Sequence, residues 1–262
     1  MRRRVVVLLA MASSLALLDG GEAPAAPAAS DSAARSAAAT APTPGPAPTT
    51  TPATPTPSPT GPGSPAPPQA PRPAVRQLIL VSARAYGETY ATLIAYRVSA
   101  GRRRVVFGPW TARVGYNGFA PPGQKREGDG RTPSGRYGFQ FMFGVKRDPR
   151  VHFRYRRVHR YDFWVDDPVS PLYNEWVDAR TQNPGNAPEP MFQTPAYDYG
   201  AAIAYNTART PGLGSAIFLH GDVGGPTGGC VSLPAGELLN VLRWLDPARS
   251  PLIEMGVGAV PR

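Results

Sequence analysis

Two residues define the chemistry open to this chain. Cys230 is the single cysteine among 262 residues, so it has no disulfide partner within the chain. A lone thiol is either an inert buried hydrophobe or a group kept for reaction. His220 lies ten residues before it, and the intervening stretch contains Gly221, Gly224, Gly225, Gly228 and Gly229. A spacer that rich in glycine can fold the imidazole back into hydrogen-bond contact with the thiol. Thiolate is the attacking species, and a nearby histidine is the usual means of generating it. Glycines just before a nucleophile let the backbone approach a carbonyl closely. They also let consecutive N–H groups aim at one point, as the oxyanion of an acyl transfer requires. The pattern predicts acyl-transfer chemistry at an activated cysteine, with a thiol that reacts below its usual pKa of about 8.5. Against it stand the bland readings, a buried structural thiol and a hydrogen-bonded strand-end histidine.

The other polar residues carry less. His152 and His159 lie in an Arg-rich stretch and read as surface residues. Asp222 either contacts substrate or caps a turn, the turn being favoured, and Glu127 and Asp129, in a Gly-rich loop, read as organisers of that loop. Trp164, Asp166, Asp167, Tyr173 and Asn174 either line a substrate groove or pack an insertion against the sheet.

The elements that must hold the pair are mostly strands. Gln77 to Ser82, Tyr90 to Val98 and Arg104 to Trp110 are short Val-, Ile-, Leu- and aromatic-rich runs between turn signals, the first two suited to a hairpin. Arg113 to Gly118 and Arg136 to Phe143 continue that texture around a Gly- and Pro-rich loop from Ala120 to Gly135. The stretch from His152 to Tyr173 is strand edge or loop. Ala216 to His220 is an apolar strand that ends on the histidine. Leu233 to Leu245 has Pro234 near its start, helical apolar spacing and an Asp246-Pro247 stop, so it predicts a helix after Cys230. A last strand follows at Leu252 to Met255. The fold class expected is mostly β, a sandwich or barrel-like sheet with one helix.

Composition divides the chain into three parts. Residues 1–28 read as a signal peptide: Arg2, Arg3 and Arg4, then an apolar run from Val5 to Leu18, then small residues suited to cleavage. That run is shorter than the roughly 20 residues of a spanning helix. If left uncleaved, it would tie the N-terminus to a membrane. Residues 29–74 are a linker of Pro, Ala, Thr and Ser, too poor in apolar surface to fold and suited to O-glycans. Residues 75–262 form one domain. The formal charge of +10 rests almost wholly on arginine. It reflects either a GC-rich genome or an attraction to anionic wall polymers. Nucleic acid is not expected, for lack of zinc spacing, aromatic signature or basic helix.

Thr227-Gly228-Gly229-Cys230-Val231-Ser232, preceded by His220, resembles the signature of the L,D-transpeptidase (YkuD-type) catalytic domain family. Arg131-Thr132-Pro133-Ser134-Gly135-Arg136-Tyr137 is similar to that family's Thr-Pro-x-Gly-x-aromatic turn. Lys125 to Gly130 and Trp164 to Pro168 look like an actinobacterial branch. The resemblance spans most of residues 76 to 256. It departs at Gly228, where the family places a second histidine, and in a shorter His-to-Cys spacer. It implies a secreted, cell-wall-associated enzyme without metal or organic cofactor. Cys230 would attack the carbonyl after the third residue of a peptidoglycan stem peptide, with His220 as base and then acid. The Gly221 carbonyl would orient the imidazole, and Gly229, Cys230 and Gly228 would supply oxyanion N–H groups, beside Thr227 and Ser232. Transfer to an amine of a second stem gives a 3→3 cross-link; transfer to water makes the enzyme an L,D-carboxypeptidase-type hydrolase of stem peptides. Carbapenem β-lactams are the implied inhibitors. The rival from another class is a catalytically silent peptidoglycan-binding module that keeps the fold.

Overall fold

The computed structural model describes residues 74–258, so the expected signal peptide and nearly all of the expected linker lie outside the described residues. The chain begins with β1 (Gln77–Ala83), β2 (Tyr90–Ser99) and β3 (Arg102–Arg113). Two short pieces follow, β4 (Phe119–Ala120) and β5 (Thr132–Pro133), which pair with each other. Next come β6 (Gly135–Tyr137), β7 (Phe139–Gly144), β8 (Tyr155–Arg157), β9 (Asp162–Trp164), β10 (Trp176–Asp178) and β11 (Glu189–Pro190). The last third holds β12 (Gly200–Ile203), β13 (Phe218–Gly221), β14 (Val231–Leu233), α1 (Ala235–Trp244) and β15 (Leu252–Val257). The architecture is mostly β, as the sequence predicts.

Ten strands form one sheet in the order β6-β15-β1-β2-β3-β14-β13-β12-β7-β8, and β10-β9-β11 form a small second sheet. β1 lies between β15 and β2 and is covered on both faces. Ile79 and Val81 enter the main core with Leu93, Val114, Leu219, Val231 and Ile253, while Leu78 packs with Ile94 and Tyr96 on the other side. Helix α1 seals the main core with Leu238, Val241 and Leu242. A second core gathers Phe143, Trp164, Trp176, Met191, Tyr197 and Phe218 around Cys230.

Several boundaries differ from the sequence reading for local reasons. The texture from Arg113 to Gly118 is not strand: β3 ends at Arg113, and Gly118, at φ +68°, returns its N–H to the Gly115 carbonyl at 2.7 Å in a turn. β13 starts at Phe218 rather than Ala216, because Ala216 adopts φ +51°, outside the strand region. Leu233 belongs to β14, and the helix begins after Pro234. Proline suits a helix start, where its missing N–H costs nothing.

Candidate active site

β13 and β14 run parallel, with Leu219 opposite Val231 and His220 opposite Ser232. Side chains alternate along strands, so His220, Ser232 and Cys230, two residues before Ser232, share one face. Parallel neighbours normally need a crossover of a dozen or more residues. Here the link is only the loop from Asp222 to Cys230, without a helix. The loop is fastened to the end of β3: Thr227 N–H donates to Val114 O at 2.9 Å, and Tyr116 N–H donates to Thr227 O at 2.8 Å. Asp222 caps a turn by accepting from Gly224 N–H at 3.0 Å.

Two buried threonines fix the nucleophile's own carbonyl. Thr227 Oγ1 donates to Cys230 O at 2.7 Å while accepting Gly229 N–H at 3.2 Å. Thr132, from the Thr-Pro turn, donates to the same carbonyl at 3.2 Å and accepts Gly115 N–H at 2.9 Å. Gly229 has φ +152°, and a Cβ there would lie 3.0 Å from Arg131 O. Its neighbour Gly228 is not so confined, since a Cβ at that position meets nothing within 4 Å. Space therefore exists at the position where the resemblance places a second histidine. Neither Gly228 nor Cys230 gives its N–H to a backbone carbonyl in this loop.

Cys230 Sγ donates to Ala216 O at 3.1 Å and accepts Phe218 N–H at 3.2 Å. His220 is 7% exposed, and its Nδ1 lies 2.9 Å from Gly221 O. A carbonyl can only accept, so Nδ1 carries the proton and Nε2 is left as the basic nitrogen. Gly221 is itself held by donation of its N–H to Ala196 O at 2.9 Å. The Tyr197 ring meets the imidazole edge-on, with centroids 5.3 Å apart. Burial pushes the Cys230 thiol up to about 12 and the His220 imidazole down to about 4. The resting pair is therefore neutral. The expected low-pKa thiolate is not what this site produces, because desolvation penalises both charged forms, and the thiol's hydrogen bonds go to Ala216 and Phe218 rather than to the imidazole.

Cys230, His220, Thr227, Gly228, Gly229 and Ser232 all border one cavity of about 390 Å³; Gly221 contributes through its carbonyl. His152 and His159 are exposed and take no part. Asp129 does organise its loop, accepting from Arg126 N–H at 2.7 Å and Arg131 N–H at 2.9 Å. Glu127 does so with Oε1, which accepts from Gly128 N–H at 3.3 Å, but its Oε2 accepts from the Tyr173 hydroxyl and from Ser215 Oγ, and it lines the cavity. Asp166 also lines it, with Oδ1 2.7 Å from Ser215 Oγ. Trp164 instead packs against Phe218, centroids 5.0 Å apart, with its Nε1–H on Asn174 Oδ1 at 2.8 Å. Asp167 accepts from Val169 N–H at 3.1 Å and Asn186 N–H at 3.0 Å. Lys125, Glu189 and Tyr197 complete the polar wall. Sequence reasoning gives these three no role, since Glu189 and Tyr197 sit in a Pro-interrupted segment with no motif spacing.

Residues 77–253 match the YkuD family model, described as the L,D-transpeptidase catalytic domain. No curated protein matches the chain. Among solved structures it is similar to the helical cell shape determining protein Pgp2 from Campylobacter jejuni, at 15% identity and a TM-score of 0.32. That match covers 71% of this chain and 49% of the other, so the chain spans about half the length of that protein.

Proposed function

The chain belongs to the L,D-transpeptidase (YkuD) catalytic domain family, and from that premise we propose that it is an exported cysteine acyltransferase that forms 3→3 cross-links between peptidoglycan stem peptides. His220 Nε2 takes the Sγ proton as Cys230 attacks the carbonyl after the third residue of the donor stem. The oxyanion receives the free N–H groups of Gly228 and Cys230, while Gly229 N–H stays with Thr227 Oγ1. The C–N bond breaks, the imidazolium returns its proton to the leaving amine, and a thioester remains. An amine of a second stem attacks that thioester with His220 again as base, yielding a new amide and the free thiol. The reading also takes residues 1–28 as the export signal and 29–74 as a tether in the wall.

One observation carries it. A tautomer-fixed His220 and Cys230 border the same cavity, beside backbone N–H groups not taken by loop carbonyls. The test is intact-protein mass spectrometry of the full chain after exposure to a carbapenem. An adduct of one β-lactam mass is expected, lost in Cys230→Ala and slowed about 10²–10⁴-fold in His220→Gln. A folded protein that takes up no adduct and still binds purified peptidoglycan would be the silent module instead.

A further inference from the structure

The largest concentration of charge among the described residues lies outside the site. From Lys146 to Arg160 the chain carries seven basic side chains and one acidic, so more than half of the formal +10 sits in this stretch. None of them borders the cavity at Cys230, and the acyl-transfer reading gives them no task. Lys146 pairs with Asp198 at 2.8 Å and Arg156 with Asp162 at 3.9 Å. Arg147, Arg150, Arg154, Arg157 and Arg160 are exposed and, among the described residues, have no carboxylate within ion-pair distance.

The stretch is fastened from several sides. The Tyr155 hydroxyl donates to Lys146 O at 2.8 Å, and Arg243 Nε–H, from α1, donates to Pro149 O at 3.0 Å. Asp148, the one carboxylate, is spent on the backbone: its Oδ1 accepts Arg150 N–H at 2.8 Å and Val151 N–H at 3.1 Å. β8 ends the order of the ten-stranded sheet, so its outer side has no strand partner among the described residues. Such a margin presents backbone N–H groups. Side chains alternate along a strand, so Arg154 and Arg156 lie on one face of the margin and Arg157 on the other. The crowding is felt: burial lowers the Arg156 guanidinium below its usual value, Asp162 opposes the shift and the charge of Arg154 deepens it. A charge on a sheet edge guards it against pairing, but a single one serves that end, and guanidinium groups without carboxylates repel one another.

We propose that the β8 margin, through Arg150, Arg154, Arg157 and Arg160, is a docking surface for a linear phosphodiester polymer of the cell wall. This rests on the export reading above, which makes the source a wall polymer rather than a nucleic acid. Charge complementarity calls for a polyanion. Six of the seven basic residues are arginine, and the guanidinium fork grips phosphate oxygens in pairs where lysine acts as a point charge. A line of charge along a strand margin suits a chain. A bilayer surface is held through apolar anchors as well as charge, whereas every exposed side chain from Lys146 to Arg160 is charged or an imidazole. β8 lies three strands from β13 in the sheet, so a polymer held there leaves the cavity at Cys230 open.

The experiment is fluorescence anisotropy of end-labelled synthetic poly(glycerol phosphate) titrated with the full chain. Arg154→Gln/Arg157→Gln/Arg160→Gln is expected to weaken binding about tenfold or more. Arg97→Gln/Arg102→Gln/Arg104→Gln removes the same charge from the exposed end of the β2–β3 hairpin and should change binding less than about twofold. Unlabelled poly-L-glutamate of equal charge should compete poorly. A readout without variants is phenylglyoxal modification, which bound polymer should slow at Arg154 and Arg157 but not at Arg102 and Arg104. Equal losses in the two triple variants, or equal protection of the two pairs, overturn the surface, since net charge alone then attracts the polymer. Equal competition by poly-L-glutamate overturns the phosphate. So does retention on vesicles of phosphatidylglycerol and phosphatidylcholine by a protein that ignores the polymer. Aggregation of the first triple variant with unchanged polymer affinity assigns the arginines to edge protection and overturns the surface as well. Carbapenem adduct formation, read on the same samples, is expected to be unchanged in both variants. Polymer binding by a protein that takes no adduct upholds the surface and refutes the acyl-transfer reading. An acylated protein without polymer binding refutes the surface alone.

Discussion

Alkylation of Cys230 against pH separates a neutral thiol beside a neutral imidazole from a thiolate–imidazolium pair. Burial moves the thiol from 9.0 to about 12 and the imidazole from 6.5 to about 4. Between those two values both groups are uncharged. At pH 8 a thiol of pKa 12 is thiolate in about one molecule in 10⁴, against about one in ten at pKa 9, so reactivity falls roughly a thousandfold. Steric burial lowers the rate further, but equally at every pH, and the slope is therefore the cleaner readout. The assay is the second-order rate of iodoacetamide labelling of the native protein, followed by intact mass from pH 6 to pH 10. The rate is expected to rise about tenfold per pH unit throughout, with no plateau. His220→Gln keeps that slope, because the imidazole at rest lends no charge to the thiol, while acylation collapses. A plateau beginning below about pH 9, abolished in His220→Gln, would refute the neutral pair and restore the low-pKa thiolate expected from the sequence.

Four further outcomes follow from named groups and contacts. The Asp166 carboxyl is raised from 3.8 to about 7, so from pH 3.8 to 7 the native state holds a proton that the unfolded chain has lost, and stability falls as pH rises. Asp166→Asn, which mimics the neutral acid, should stabilise the fold at pH 8 by on the order of 4 kcal/mol at most, seen as a higher melting temperature, and change it little at pH 4; the same shift at both pH values would contradict it. His220 has the opposite sign, since its folded value lies below 6.5: its share of stability, on the order of 3 kcal/mol, is present above pH 6.5 and is lost as pH falls toward 4, so His220→Gln should flatten that acid limb of the stability profile. Thr132→Val orphans both Gly115 N–H and one bond to Cys230 O and should cost about 1–3 kcal/mol in urea denaturation, with Thr132→Ser largely restoring it. Gly229→Ala, at φ +152° and 3.0 Å from Arg131 O, should cost about 1–3 kcal/mol. Gly228→Ala, with open space around its Cβ, should stay within about 0.5 kcal/mol, and equal melting shifts in the two would mean the loop is not held as described.

The reacting pair was legible because its signal is local. A strand that ends on His220, a glycine-rich link and Gly229-Cys230 are contiguous, and the alternation of side chains along β13 and β14 does the rest. The strands from β1 to β3 and helix α1 were legible for the same reason, through runs of apolar residues at period 2 and period 3.6. The errors fall where tertiary contacts override local texture. Val114 to Gly118 has strand-like residues, but Gly115 gives its N–H to the Thr132 hydroxyl instead of a ladder partner. Ala216 is apolar and flanked by strand formers, yet it takes φ +51° with its N–H on Asn174 Oδ1 at 3.2 Å and its carbonyl on the thiol. The acidic wall was invisible for a further reason. Glu127, Asp166, Glu189 and Ser215 come from four separate segments, and no spacing in one dimension records that the sheet brings them together.

A neutral pair can still begin the reaction. At rest desolvation outweighs the Phe218 N–H on Sγ and the Gly221 carbonyl and Asp222 charge at the imidazole, which keeps Cys230 quiet toward stray electrophiles. When the carbonyl arrives, the Sγ proton passes to Nε2 as the C–S bond forms, so charge separates only in the presence of its partners. The oxyanion meets N–H donors, and the imidazolium meets the Gly221 carbonyl at Nδ1 and the charge of Asp222. Interactions that strengthen only in the transition state raise the rate rather than the affinity. Burial that lifts the thiol to about 12 and lowers the imidazole to about 4 is therefore compatible with catalysis, provided the substrate completes the site.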